Sequence, residues 1–199
     1  MDKNVLAAMA RWPDVPDVFG WLSLSPQGQW RLHPRGDAAL SGPGEPINSE
    51  RILQFIDRNY ACDRQGRWYF QNGPQRVFVR LDAAPYILRT TGSRRPLCMQ
   101  THNGLNVRAI SGWWLDESGR LYAQTEHGPG LIAGRDLMQV LESLHTPCDE
   151  PLTAVLENSP KAEHAVPIKA EHAGVIYLNF CTDAAVSREL GFIGNPVAA

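Results

Sequence analysis

One turn pattern recurs three times along the chain and constrains its architecture more than any other feature. Segments 25–28, 63–66 and 116–119 each begin with Ser or Asp and end with Gly. This combination favours a type I turn that closes a β-hairpin with a G1 bulge. We therefore expect three antiparallel hairpins centred on these segments.

The residues that flank the three turns keep the same parity. Large side chains stand two residues after each Gly and four residues before it: Trp30, Trp68, Leu121, Leu24, Cys62 and Leu115. Because strand side chains alternate between faces, equal offsets from the turn place them on one face. We expect that face to be buried.

A segment with helical spacing follows two of the hairpins. Residues 47–57 align with residues 132–142 at a constant offset of 85. The apolar positions that coincide and share one helical face are Ile52, Phe55, Ile56, Leu137, Val140 and Leu141. We interpret the pattern as a duplicated hairpin–helix (ββα) unit with pseudo-two-fold symmetry, the alternative being chance similarity of two amphipathic helices.

Strands outnumber helices in this pattern and are joined by hairpins, which predicts an α+β fold with a mainly antiparallel sheet. We divide the chain into two parts. Residues 1–98 hold the first hairpin–helix unit and a basic hairpin. Residues 99–199 hold the second unit, an acidic crossover with one short element near 152–157, and a C-terminal strand.

Composition predicts a cytoplasmic protein that is not embedded in a membrane. The chain has no run of 18 apolar residues, and the apolar stretch before Arg11 is too short for a secretory signal. Its four cysteines are too widely spaced for a dense disulfide framework, so we expect reduced thiols.

The net charge of −2 conceals a strong asymmetry along the chain. Residues 64–115 carry eight Arg and one Asp, whereas residues 116–199 carry twelve acidic and five basic residues. These charges can pair within the fold or across a homodimer, or the basic part can bind an anionic partner.

The basic hairpin is the candidate binding site. Strand alternation places Arg76, Phe78 and Arg80 on one face, with Arg67 and Tyr69 as neighbours. Such a face can hold a small anion through bidentate Arg or stack nucleic-acid bases, or it can be a solvated face whose arginines pair with nearby acids. The pI of about 6.3 argues against nucleic acid. We predict a non-enzymatic protein that binds a small anionic ligand or partner here.

Two loops support an enzymatic function as the alternative prediction. Each pairs a histidine with an acid, His33 with Asp37 and Glu126 with His127, so the loops could line one cleft for acid–base chemistry. The chain has no nucleophile elbow, phosphate-binding Gly loop or dinucleotide fingerprint, and we expect no cofactor. A structural homodimer without a ligand is the third reading.

A structural zinc site is a weaker alternative. Cys98 and His102 have Cys-x3-His spacing, and His145 and Cys148 have His-x2-Cys spacing, which together offer four zinc ligands. Neither spacing is diagnostic, and the favoured interpretation is that Cys98 and Cys148 are small buried hydrophobic residues with two ordinary histidines nearby.

The central block resembles an uncharacterised proteobacterial protein family, a domain of unknown function. The resemblance rests on residues 55–60 and 63–79, with residues 116–120, 130–132 and 135–137 as further support. It would cover nearly the whole chain and implies a cytoplasmic bacterial protein. It implies no catalytic residues.

Overall fold

The chain folds into two units, each built on one β-sheet. The computed structural model describes residues 1–92, 97–158, 164–170 and 174–198. The first unit comprises Met1–Pro85 and the C-terminal segment from Gly191, and the second comprises Tyr86–Leu190.

Five α-helices lie within the described residues: α1 (Lys3–Arg11), α2 (Glu50–Arg58), α3 (Leu137–Ser143), α4 (Leu152–Asn158) and α5 (Val186–Glu189). Short 3-10 turns span Ala38–Leu40, Gly134–Asp136 and Asp183–Ala185. The strands are β1 (Val18–Leu24), β2 (Trp30–Leu32), β3 (Glu45–Pro46), β4 (Tyr60–Cys62), β5 (Trp68–Asn72), β6 (Gln75–Leu81), β7 (Tyr86–Thr91), β8 (Cys98–Thr101), β9 (Asn106–Val107), β10 (Ile110–Asp116), β11 (Leu121–Thr125), β12 (Gly128–Ile132), β13 (Val166–Ala170) and β14 (Gly174–Cys181). Within the same residues, none of the helices has the length and apolar character needed to span a membrane.

The first sheet has the strand order β3-β2-β1-β6-β5-β4. It consists of two antiparallel meanders whose strands β1 and β6 pair in parallel. Helix α2 connects the meanders and packs on β5, where the Phe55 and Phe70 rings meet edge to face at 5.5 Å. The buried side chains on this face are Leu22, Leu24, Trp30, Ile56, Trp68, Phe70, Val79 and Leu81.

The second sheet has the order β13-β14-β10-β11-β12-β7-β8-β9. Five of its strands, in the order β12-β11-β10-β14-β13, repeat the arrangement of the first sheet. The meander β10-β11-β12 pairs its first strand in parallel with β14, the last strand of the hairpin β13-β14. Helix α3 follows β12 as α2 follows β3. Strands β7, β8 and β9 extend this sheet beyond β12.

The predicted α+β class is confirmed, but both sheets are mixed. The parallel pairs are β1–β6 in the first sheet and β10–β14 and β12–β7 in the second. Hairpins account for the antiparallel pairs. The parallel pairs arise where separate meanders join, which turn patterns do not reveal.

The boundary between the units lies earlier than we placed it. We divided the chain after residue 98, whereas β7 already pairs with β12 and belongs to the second unit. The C-terminal segment returns to the first unit, where the Ile193 N–H donates to the Gly66 carbonyl at 2.9 Å and the Leu81 N–H to the Gly194 carbonyl at 2.7 Å.

The three predicted turns are confirmed. In each, the Gly N–H donates to the carbonyl of the first residue, and the glycine φ is +78° at Gly28 and +79° at Gly66 and Gly119. The first side chain accepts N–H groups from the third and fifth residues. A related turn begins at Thr101 and another at Thr146, which our Ser or Asp pattern did not include.

The prediction of buried faces is correct at most positions. Trp30, Trp68, Leu121 and Leu24 are buried, whereas Leu115 is half-buried. Cys62 is exposed because it ends the edge strand β4.

The predicted helix face is wrong at Ile52, which is 50% exposed. In α2 it is Ile56 that is buried, and Phe55 that contacts the sheet.

The acidic crossover holds more structure than we predicted. Helix α4 is the expected short element, and β13 was not predicted. Residues 159–163 and 171–173 of this crossover lie outside the described residues.

We predict that Gly66→Ala lowers the free energy of unfolding of the first unit by more than the cost of placing alanine at a positive φ. The φ of +79° costs roughly 1–2 kcal/mol for alanine, and a Cβ would also lie 2.6 Å from the Gly191 carbonyl oxygen. Urea unfolding measures the change in free energy.

Gly73→Ala is the matched control in the same unit. Gly73 has a φ of +59° and no atom within 4 Å of an added Cβ. Equal destabilisation by the two variants would contradict the proposed clash with the C-terminal segment.

Candidate functional site

A concavity of about 520 Å³ lies beside the β4–β5 turn of the first unit. It is lined by Cys62, Asp63, Arg64, Gln65, Tyr69 and Arg76. Antiparallel pairing of β5 and β6 brings Arg76 beside Tyr69, and its guanidinium carbon lies 5.0 Å from the centre of the tyrosine ring. Two of the five predicted binding residues therefore line this concavity.

The Asp63 carboxylate already accepts three hydrogen bonds within its own turn. Oδ1 accepts the N–H groups of Gln65 and Arg67 at 2.9 and 3.0 Å, and Oδ2 accepts Arg67 Nε–H at 2.7 Å. Burial would raise the pKa of Asp63, but these hydrogen bonds outweigh it and lower the pKa. The charges of Asp63 and Arg67 offset one another.

The thiol of Cys62 contributes no charge to the concavity at neutral pH. Cys62 is exposed as a residue, but the neighbouring chain partly desolvates its sulfur, which, with a further effect from the Asp63 charge, raises the pKa of Cys62 to about 11. The Cys62 S–H donates to the Asp63 carbonyl at 3.3 Å. A protonated thiol is a weak nucleophile, so this cysteine is not activated for chemistry.

Two guanidinium groups at the concavity have no carboxylate partner among the described residues. Arg64 is exposed on the turn, and Arg76 is half-buried over Tyr69. Tyr69 is only 7% exposed, and its hydroxyl makes no hydrogen bond within the described part of the chain. The concavity therefore combines two uncompensated positive charges with an available phenol.

The other predicted binding residues lie within the sheet. Phe78 is 1% exposed and stacks on Phe19, with ring centres 4.6 Å apart. Arg67 covers Phe78 at 4.6 Å. An aromatic ring enclosed on both sides is not available to stack on a nucleic-acid base.

The Arg80 side chain makes structural hydrogen bonds within the first unit. Its guanidinium donates to Asp82 at 2.7 and 3.2 Å and to the carbonyl groups of Ala38 and Gly42. Arg80 pairs with a nearby acid, as the solvated-face alternative expects, but it is buried rather than solvated.

The first histidine loop forms a Ser–His–Asp arrangement. Ser23 Oγ and His33 Nε2 are hydrogen-bonded at 2.9 Å, and His33 Nδ1 lies 3.8 Å from Asp37 Oδ1. Burial, aided by the Arg80 charge, lowers the pKa of His33 despite the nearby carboxylates.

This arrangement is closed to a substrate. Ser23 is fully buried, and an added Cβ at Gly44 would lie only 2.7 Å from His33 Nε2. In this conformation the hydrogen bonds hold the loop that follows β2.

The second histidine loop belongs to the second unit. Glu126 accepts the N–H groups of Arg108 and Ala109 at 2.7 and 3.2 Å, and these bonds outweigh burial in lowering its pKa. His127 Nε2 is hydrogen-bonded to the Asn106 carbonyl at 2.9 Å. Both side chains thus hold the chain near β9.

The four candidate zinc ligands do not come together as one cluster among the described residues. No three His, Cys, Asp or Glu side chains converge within the described residues. Cys98 and Cys148 are exposed, so the expectation that they are buried is wrong, and His145 is hydrogen-bonded to the Ser143 carbonyl at 3.1 Å. His102 accepts the Ile87 N–H at 3.3 Å. The spacing was misleading because these residues serve separate turns and strands.

Four residues of the concavity were not predicted as site residues: Cys62, Asp63, Arg64 and Gln65. The signal was present in the turn pattern, which we used only to locate a hairpin. Its Asp and Arg recur in the turn at 116–120.

We predict that acid destabilises the second unit through His102. Burial, with the Arg89 charge, lowers the pKa of His102 to about 3. The unfolded chain binds a proton near pH 6.5 and the folded chain does not, so stability falls by up to about 1.4 kcal/mol per pH unit from pH 6.5 down towards 3. Urea unfolding at pH 7, 5.5 and 4 measures the slope.

The His102→Gln variant keeps an acceptor for the Ile87 N–H and should show a shallower slope. His164→Gln, at an exposed histidine, is the control. Parallel pH profiles for the wild type and His102→Gln would refute the assignment.

Comparison with known proteins identifies a family but no activity. Crystal structures of two DUF1285 family proteins are similar to this chain. The protein from Silicibacter pomeroyi DSS-3 has 18% identity and a TM-score of 0.47, covering 65% of this chain and 71% of that one. The protein from Shewanella baltica OS155 has 12% identity and a TM-score of 0.45, covering 62% and 92%.

The curated proteins include none that matches the chain. The family model DUF2944, described as a protein of unknown function (DUF2946), matches residues 1–197. The chain therefore belongs to this family of unknown function.

Proposed function

We propose that the protein binds a small anionic ligand in the concavity beside the β4–β5 turn. The observation that carries the proposal is the pair of guanidinium groups, Arg64 and Arg76, that line one concavity without a carboxylate partner among the described residues. Two such charges close together repel one another, and an anion bound between them relieves that repulsion.

The size of the concavity favours a small molecule. A volume of about 520 Å³ lies within the range of small-molecule sites, which is about 300–1,000 Å³. Nucleic acid is a poorer fit, because the Tyr69 ring is covered by Arg76 and Phe78 is enclosed. Neither ring offers a free face for stacking on a base.

We also infer that the two units arose by duplication of one module. The shared strand order, β3-β2-β1-β6-β5 and β12-β11-β10-β14-β13, supports this, as does the helix that follows each first meander. Superposition of these strands and of α2 on α3 provides the test. Strands that match in order but not in position would contradict a common origin.

We propose a cytoplasmic location, which fits the absence of disulfides among the described residues. Cys62, Cys98, Cys148 and Cys181 are all free, as expected in a compartment that keeps cysteine reduced. Titration of the denatured protein, purified without reductant, should count four thiols. A lower count in freshly prepared protein would contradict the proposal.

We predict that the double variant Arg64→Gln/Arg76→Gln weakens binding of small anions by about a hundredfold. Each charge-assisted hydrogen bond that is lost contributes about 1.4 kcal/mol, which is tenfold in affinity. Isothermal titration calorimetry with succinate, citrate, inorganic phosphate and AMP, in low and high salt, measures the loss. Binding by the wild type should weaken as salt rises.

The double variant Lys3→Gln/Arg51→Gln is the matched control. It makes the same change in net charge on the exposed positions of α1 and α2, and α2 packs on the opposite face of β5 from Tyr69. Equal losses in both double variants would mean that net charge, rather than the concavity, attracts the anion. If the wild type binds none of the four probes, the proposed function is wrong.

A further inference from the structure

The turn beside the concavity occurs a second time in the chain with the same internal bonds. Residues 63–69 read Asp-Arg-Gln-Gly-Arg-Trp-Tyr, and residues 116–122 read Asp-Glu-Ser-Gly-Arg-Leu-Tyr. In both, Asp Oδ1 accepts the N–H groups of the third and fifth residues, and Oδ2 accepts the Arg Nε–H at 2.7 Å. Equivalent side chains of the two turns therefore start from the same backbone geometry.

In the second unit this turn holds a carboxylate from its own chain. Asp183 accepts a hydrogen bond from Ser118 Oγ at 2.8 Å and pairs with Arg120 Nη2 at 2.8 Å. Glu117, the second residue of the turn, accepts the Asp183 N–H at 3.3 Å. The third and fifth residues thus recognise a carboxylate, and the second recognises an N–H group.

In the first unit the equivalent groups have no such partner. Within the described residues Arg67 pairs only with Asp63, Arg64 pairs with no carboxylate, and the Gln65 side chain makes no hydrogen bond. Arg64 and Gln65 line the concavity and correspond to Glu117 and Ser118, which contact Asp183. The first turn therefore has the internal bonds of the second turn but no carboxylate like Asp183 among the described residues, and the concavity lies beside Arg64 and Gln65.

One difference between the turns points to a second acidic group on the ligand. Glu117 accepts an N–H, whereas Arg64 at the same position can only donate. A ligand that contacts Arg64 presents an acceptor there, and Arg76 adds a further guanidinium on the same concavity. Guanidinium groups match the two coplanar oxygens of a carboxylate.

We infer that the ligand is a small organic acid with at least two carboxylate groups. The inference rests on the proposed function and specifies its ligand class. One carboxylate takes the place beside Gln65 and Arg67 that Asp183 takes beside Ser118 and Arg120, and the second lies against Arg64 and Arg76.

Calorimetry with matched acids tests the inference on the full chain. The probes are succinate, glutarate and adipate, each paired with the monocarboxylate of equal chain length, together with inorganic phosphate and pyrophosphate. We expect at least one dicarboxylate to bind ten or more times more tightly than its monocarboxylate partner and than either phosphate.

The Arg64→Gln variant localises the second carboxylate. It should reduce the preference for the dicarboxylate over its monocarboxylate partner to less than threefold. Arg51→Gln, on exposed α2, should leave the preference intact. A preference that survives in Arg64→Gln overturns the assignment of this arginine.

The outcomes separate the inference from the proposed function. Tighter binding of phosphate or pyrophosphate, lost in Arg64→Gln/Arg76→Gln, overturns the dicarboxylate inference and leaves the anion site standing. Equal affinity for dicarboxylates and monocarboxylates also overturns it. Absence of binding by every probe removes the proposed function itself.

Discussion

The β4–β5 turn depends on a carboxylate that is held by the backbone around it. Removing an ionised carboxyl group from water is costly unless hydrogen bonds replace the lost hydration. Asp63 meets this requirement with two backbone N–H groups and the Arg67 Nε–H. Satisfying the charge fixes the turn, and the turn fixes where Arg64 and Gln65 stand. Local electrostatics thereby positions two of the residues that line the concavity.

The remainder of the concavity depends on strand pairing. The register between β5 and β6 brings Arg76 over the Tyr69 ring, although the two residues lie on opposite sides of the hairpin turn. The opposite face of β5 packs on α2 through Phe70 and Phe55. One strand thus anchors the core with one set of side chains and supports the concavity with the other.

The two units use similar local chemistry for different ends. In the second unit Arg120 is held between Asp116 and Asp183, so its charge is fully compensated within the chain. In the first unit Arg67 has Asp63 alone and lies over Phe78. The same turn stabilises the fold in one place and leaves positive charge next to a concavity in the other.

Several elements could be predicted from residue order because their causes are local. Strand β6 and helix α2 lie where alternation and helical spacing place them, and the turns at Ser25, Asp63 and Asp116 follow from side chains that bond their own backbone. Strand β13 escaped prediction because it contains Pro167, which is disfavoured inside a strand, although it pairs with the nearby β14. The prediction that Ile52 is buried was wrong because two faces of α2 carry apolar residues, and only the packing against the sheet decides which face is buried.

The candidate site shows the same division. Residue types and alternation were enough to bring Tyr69 and Arg76 together with Arg67 as a basic, aromatic face. They could not reveal that the Arg80 guanidinium is hydrogen-bonded to Asp82 and to the Ala38 carbonyl, or that the Phe78 ring is enclosed. The sequence by itself determined the turns, the alternation and the local charge. Only the tertiary structure decided which side chains are enclosed and which gain further partners, because contacts such as Arg120–Asp183, Arg80–Ala38 and Phe78–Phe19 join residues that are far apart in the chain.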